Sequence, residues 1–217
     1  MVVQRDIIMR MVERLADAFD EVVAEGSSGD HESIARIDQA LADAFRARPE
    51  TLHLEVNREI DDLDGRMAAE AGRLLVVRSR IADRLGRAEL SSRSLEFALR
   101  SLVQAADQTF QTGESTPSEL LRDLLRGDET AEVLSDAEIA EGWFVVFEAE
   151  ADRQNLTAAE DALFAGLELA GWPDQRVRHG LRFYERVAEL PDEVLERRGL
   201  PRTEVEEAVA ELEGHLR

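Results

Sequence analysis

The chain has no cysteine, and every one of its 26 basic residues is arginine, with no lysine anywhere. Without thiols there is no thiolate nucleophile, no disulfide and no cysteine-ligated metal; without lysine there is no Schiff base and no P-loop cation. Aromatic residues make up only 5% of the sequence, so a core must be built mainly from Leu, Ala, Val and Ile. No apolar run approaches the roughly 18 residues that would span a bilayer. The start, Met1-Val2-Val3-Gln4-Arg5-Asp6, sets a charge pair where a signal peptide needs its apolar stretch. Both features lead us to expect a cytoplasmic protein with no membrane partner. Positive charge is also in deficit: 47 acids give a net charge of -21, a field that repels polyanions and argues against nucleic acid as a partner.

What is present is helical punctuation. Thr116-Pro117-Ser118-Glu119, Ser135-Asp136-Ala137-Glu138, Thr157-Ala158-Ala159-Glu160 and Thr203-Glu204-Val205-Glu206 each set a hydroxyl at a helix start and a carboxylate three residues later, the capping-box spacing. Between such signals, apolar residues recur at three and four. Ile8, Met11, Leu15, Phe19 and Val22 line one face, Ile34, Ile37, Leu41 and Phe45 another, and Leu74, Leu75, Ile81 and Leu85 a third. Further helices are expected after Thr51, from Ser91 or Ser92 through Phe110, and in the segments beyond Pro117. These patterns predict an all-α fold, an irregular array of antiparallel helical hairpins resembling tetratricopeptide repeats, with about nine to ten helices. We expect a single domain over 1–217. A sub-boundary falls at Gly113-Glu114-Ser115-Thr116-Pro117, between halves 1–112 and 113–217.

Two segments, Gly29 to Ile34 with Ala40-Leu41 and Asn155 to Glu160 with Leu163 and Leu167, resemble the second helix of a tetratricopeptide repeat, but their separation is not a whole number of repeat periods. Gln4 to Met11, Ala159 to Phe164, Phe183-Tyr184-Glu185-Arg186 and Gly199 to Glu207 are similar to landmarks of an uncharacterised bacterial family of helical, tetratricopeptide-like proteins carrying a domain of unknown function. Ile7 stands where that family commonly has tyrosine. The resemblance implies a fold and carries over no reaction and no catalytic residue.

Chemistry-bearing patterns are sparse. Glu50-Thr51-Leu52-His53 has the spacing of a di-iron carboxylate motif, yet such a site needs a second copy, and Glu211 with His215 is one residue too widely spaced. His31 is expected to pack and His179 to face solvent. No serine sits in a Gly-x-Ser-x-Gly elbow, and no glycine-rich phosphate loop exists. We therefore assign no catalytic, cofactor or metal residue; a small-molecule- or metal-dependent enzyme stands as the alternative.

Charge distribution says more. Residues 66–100 carry a local balance of +4, whereas 128–170 carry -11. Arg73, Arg80, Arg84 and Arg87 share a helical face suited to carboxylate or phosphate partners, the competing reading being a solvated face neutralised inside the fold. Gly142-Trp143-Phe144-Val145-Val146-Phe147 is bulky all round, so this helix must be sandwiched or reach a partner, and Trp172 before Pro173 fills a corner. The expectation is a noncatalytic protein-interaction module. It would capture a peptide or helix, or a second copy of itself, in a groove, with Arg73, Arg80 and Arg84 reading acidic groups and Trp143 or Trp172 making apolar contact.

Overall fold

The structure, a computed structural model, describes residues 2–25, 30–45, 64–106 and 115–216, which form eleven helices and, among the described residues, no strand. The helix expected after Thr51, the end expected at Phe110 and residues Gly113 and Glu114 lie outside the described residues. The chain divides into two compact units, Met1–Val133 and Leu134–Arg217.

The first unit contains α1 (Val2–Glu25), α2 (Asp30–Ala44), α3 (Gly65–Arg84), α4 (Ala88–Ala105), α5 (Pro117–Leu125) and α6 (Asp128–Val133). α3 and α4 form its tightest pair because their facing residues are small. Ala68, Ala71, Gly72 and Ser79 on one helix and Ser91, Ser94, Ala98 and Ser101 on the other are all buried. Backbones approach so closely that a β-carbon on Gly72 would stand 2.7 Å from the Leu102 side chain. Near the opposite end, Ser79 and Ser91 share a 2.8 Å hydrogen bond, so the pair runs antiparallel. Residues 85–87 suffice to connect them: Gly86, at φ 68°, takes the left-handed conformation, and the Arg87 amide donates to the Ala82 carbonyl at 2.8 Å. This tight exit starts α4 at Ala88, ahead of the expected Ser91 or Ser92, and leaves Ser91 to bond across the interface rather than cap. α1 and α2 are also antiparallel, bridged by Arg36 to Glu21 and Arg14 to Asp43. Arg78 ties α3 to α2 through a 2.6 Å bond to Asp38.

Thr116 opens α5 as expected, its amide donating to Glu119 at 2.7 Å while its hydroxyl accepts from the Glu119 amide. α6, which no periodic stripe announces, is pinned by the buried Thr130 hydroxyl donating to the Leu124 carbonyl at 2.6 Å.

The second unit contains α7 (Asp136–Asp152), α8 (Leu156–Ala170), α9 (Asp174–Ala188), α10 (Asp192–Arg197) and α11 (Arg202–His215). Ser135 and Glu138 complete the second reciprocal box. The other two do not form, because their helices begin two residues early, behind Asn155 and Pro201. Thr157 instead lies with its hydroxyl 3.1 Å from the carbonyls of Arg198 and Gly199. Trp143, Phe144, Val146 and Phe147 are all buried on α7. α7 packs antiparallel on α8, where Gly166 admits the Phe144 ring, and α9 packs antiparallel on α11, where Gly180 admits Leu163 and Leu212.

Candidate functional site

Residues 73, 76, 77 and 80 recur at three and four, so α3 presents them on one face. In the folded first unit that face walls a cleft of about 190 Å³, closed by Phe19 of α1, Leu102 of α4, and Leu120, Asp123 and Leu124 of α5. Six of these residues are hydrocarbon; Arg73, Arg80 and Asp123 supply the polar groups.

Arg73 is the best-fixed of them. Its side chain is only 11% exposed, one guanidinium nitrogen donates to Glu70 at 2.8 Å, and the group lies 3.7 Å over the Phe19 ring. Burial pushes the Glu70 carboxyl above the usual carboxylate range, Arg73 pulls it back, and Asp20 adds to the upward push. A guanidinium carries five N–H donors, and Glu70 occupies one nitrogen, so among the described residues no hydrogen-bond partner takes the rest where Arg73 lines the cleft. Arg80 is looser: at 58% exposure, its Nε stands 3.3 Å from Glu129. Glu129 is held below its ordinary range first by its own backbone amide and then by Arg80. Asp123 is exposed and has no hydrogen-bond or ion-pair partner among the described residues.

The expected stripe therefore splits. Arg73 and Arg80 meet at the cleft, whereas Arg84 donates twice to Asp30, at 2.8 and 3.2 Å, in the first turn of α2. Those bonds hold the Asp30 carboxyl below its ordinary range. Arg87 continues the same contact to His31 at 3.2 Å, so His31 is exposed and hydrogen-bonded rather than packed. Both tryptophans belong to the second unit. Trp143 is 5% exposed; Trp172, half-buried, stacks on His215 with 3.6 Å between centroids and meets Phe164 edge-on. His179 is half-buried with its ring edge-on to Phe147, contrary to the expected solvent position. Burial first, with Arg182, Arg176 and Arg186 adding to it, pushes its pKa down against the pull of Glu148.

A second, partly buried polar pair lies between α8 and α9. The Tyr184 hydroxyl donates to Glu160 at 2.6 Å; burial raises both pKa values, and in Glu160 the hydrogen bond works against that rise. Among the described residues no group of His, Asp and Glu could hold a metal ion, and no helix is long and apolar enough to cross a membrane. Glu50 and His53 lie outside them.

Phe19, Val76, Val77, Leu102, Leu120, Asp123 and Leu124 were not singled out as site residues by the sequence, where Phe19, Leu102, Leu120 and Leu124 read as core. The model of a family of unknown function (DUF6483) matches residues 2–217. The chain belongs to that family. No curated protein and no solved structure matches it. Among the described residues, the cleft of this DUF6483 protein is lined by guanidinium, one carboxylate and hydrocarbon, with no hydroxyl or imidazole group.

Proposed function

We propose that this DUF6483 protein is a noncatalytic, cytoplasmic interaction module that seats a peptide or helix of a protein partner, the chain itself included, on the α3 cleft. The size of the cleft carries the reading. At about 190 Å³ it falls below the roughly 300–1,000 Å³ of ordinary small-molecule pockets and suits one large side chain of a docking segment. Apolar walls beside two guanidinium groups favour an apolar anchor flanked by a carboxylate, and the antiparallel hairpins fit a repeat-like scaffold.

A photocrosslinking side chain at Leu120, half-buried in the lining, tests this in cells that make the protein. One defined partner should be captured, and Arg80→Glu or the cleft-filling Val76→Phe should reduce its yield. Arg84→Glu breaks the contact to Asp30, outside the cleft, and should leave capture intact while lowering stability. Capture unchanged by Val76→Phe and Arg80→Glu would remove the cleft from the account.

A further inference from the structure

Three chemistries meet in the α3 cleft. Arg73 offers donors that Glu70 does not use, with the guanidinium immobilised by that ion pair and by the Phe19 ring. Arg80 shares the same wall, engaged among the described residues only by an exposed contact to Glu129 of a kind that exchanges readily. Asp123 presents a carboxylate with no protein partner among the described residues. The rest of the described lining is hydrocarbon.

We infer that the cleft recognises an apolar α-amino-acid unit whose carboxylate is free. The carboxylate meets Arg73 and Arg80, the nitrogen on the same carbon donates to Asp123, and the side chain lies against Val76, Val77 and Leu102. Size requires that these groups be neighbours. A cavity of about 150 Å³ already holds a benzene ring, so about 190 Å³ takes one side chain and little more. An acidic and an apolar residue on successive helical turns carry their β-carbons about 5–6 Å apart, whereas at a chain end the two groups share one α-carbon. The planar fork of arginine matches a carboxylate through two parallel hydrogen bonds. Arg73 can make them at little further cost, since Glu70 and Phe19 already hold it in place.

Such a unit has two sources, the last residue of a partner chain or a free amino acid, and only the first rests on the docking function proposed above. Isothermal titration with leucine, N-acetyl-leucine and a leucine-ended hexapeptide, each as free acid and as carboxamide, separates them. At least one free acid should bind saturably, with its carboxamide about tenfold weaker or worse, the usual loss of a charged hydrogen-bonding group. Val76→Phe should abolish binding. Arg80→Gln, on an exposed side chain that does not hold the fold, should weaken it several-fold. Asp123→Asn should hurt leucine more than N-acetyl-leucine, because only the former brings an ammonium.

Binding of the acetylated and peptide acids assigns the site to a chain end. Binding of leucine alone assigns it to the free amino acid, which sustains this inference and removes the docking function. Equal binding of hexapeptide acid and amide overturns the inference and leaves docking standing. Failure of every acid to bind at millimolar concentration overturns the inference outright.

Discussion

Arg73 and Glu70, one turn apart on α3, form a 2.8 Å ion pair in which the side chains are only 11% and 7% exposed. Removing one partner leaves a buried charge, so Glu70→Ala should cost about 3 kcal/mol. Glu70→Gln keeps the shape and carries a sign that can be checked. Burial raises the Glu70 carboxyl above its unfolded value, so ionisation costs the folded state as pH rises from the ordinary carboxylate range through that raised value. The wild type should therefore lose ground to Glu70→Gln between pH 4 and pH 7 in urea titrations. A difference independent of pH would show that the pull of Arg73 offsets the desolvation of Glu70 in full.

Tyr184→Phe removes a donor to a half-buried carboxylate. The loss should be about 1–3 kcal/mol at neutral pH. Because the hydrogen bond favours ionised Glu160, the loss should shrink as pH falls and the carboxyl takes its proton. Equal loss at pH 4 and 7 would assign the effect to packing alone.

Gly166→Ala brings a β-carbon to within 2.9 Å of the Phe144 ring. Overpacking of this kind costs about 1–3 kcal/mol. Adding Phe144→Leu should return part of it, a coupling that a double-mutant thermal series measures directly.

Thr116→Ala and Ser135→Ala each break a reciprocal box and should cost about 1 kcal/mol. Thr203→Ala, at a helix with no side-chain cap bond, should be close to neutral. A loss at Thr203 as large as at Ser135 would restore the box expected there.

The all-helical architecture was legible because stripes at three and four run through Leu15, Ile37, Leu74 and Val177, all of which are fully buried. Thr116 and Ser135 were legible for the same local reason: hydroxyl, carboxylate and helix start all lie within four residues. Thr157 and Thr203 misled because Asn155 and Pro201 open their helices two residues sooner. α6 was invisible, since six residues with one buried side chain leave no period to read.

The arginine alignment on α3 could be seen, but its use could not. Asp30 and Glu129, which engage Arg84 and Arg80, lie 54 and 49 residues away in sequence. Nor could the cleft be seen. Phe19, Leu102 and Leu120 sit in stripes like those of the core, and only the placement of α5 beside α3 and α4 decides which of them border an open space.

The most direct test of the cleft as the functional surface is a methyl NMR titration of the intact protein with the leucine-ended hexapeptide acid. Saturable shifts are expected at Val76, Val77, Leu102, Leu120 and Leu124, with Val205 and Leu212 of the second unit unmoved. Shifts confined to the second unit, or none at the five lining residues, would contradict the account.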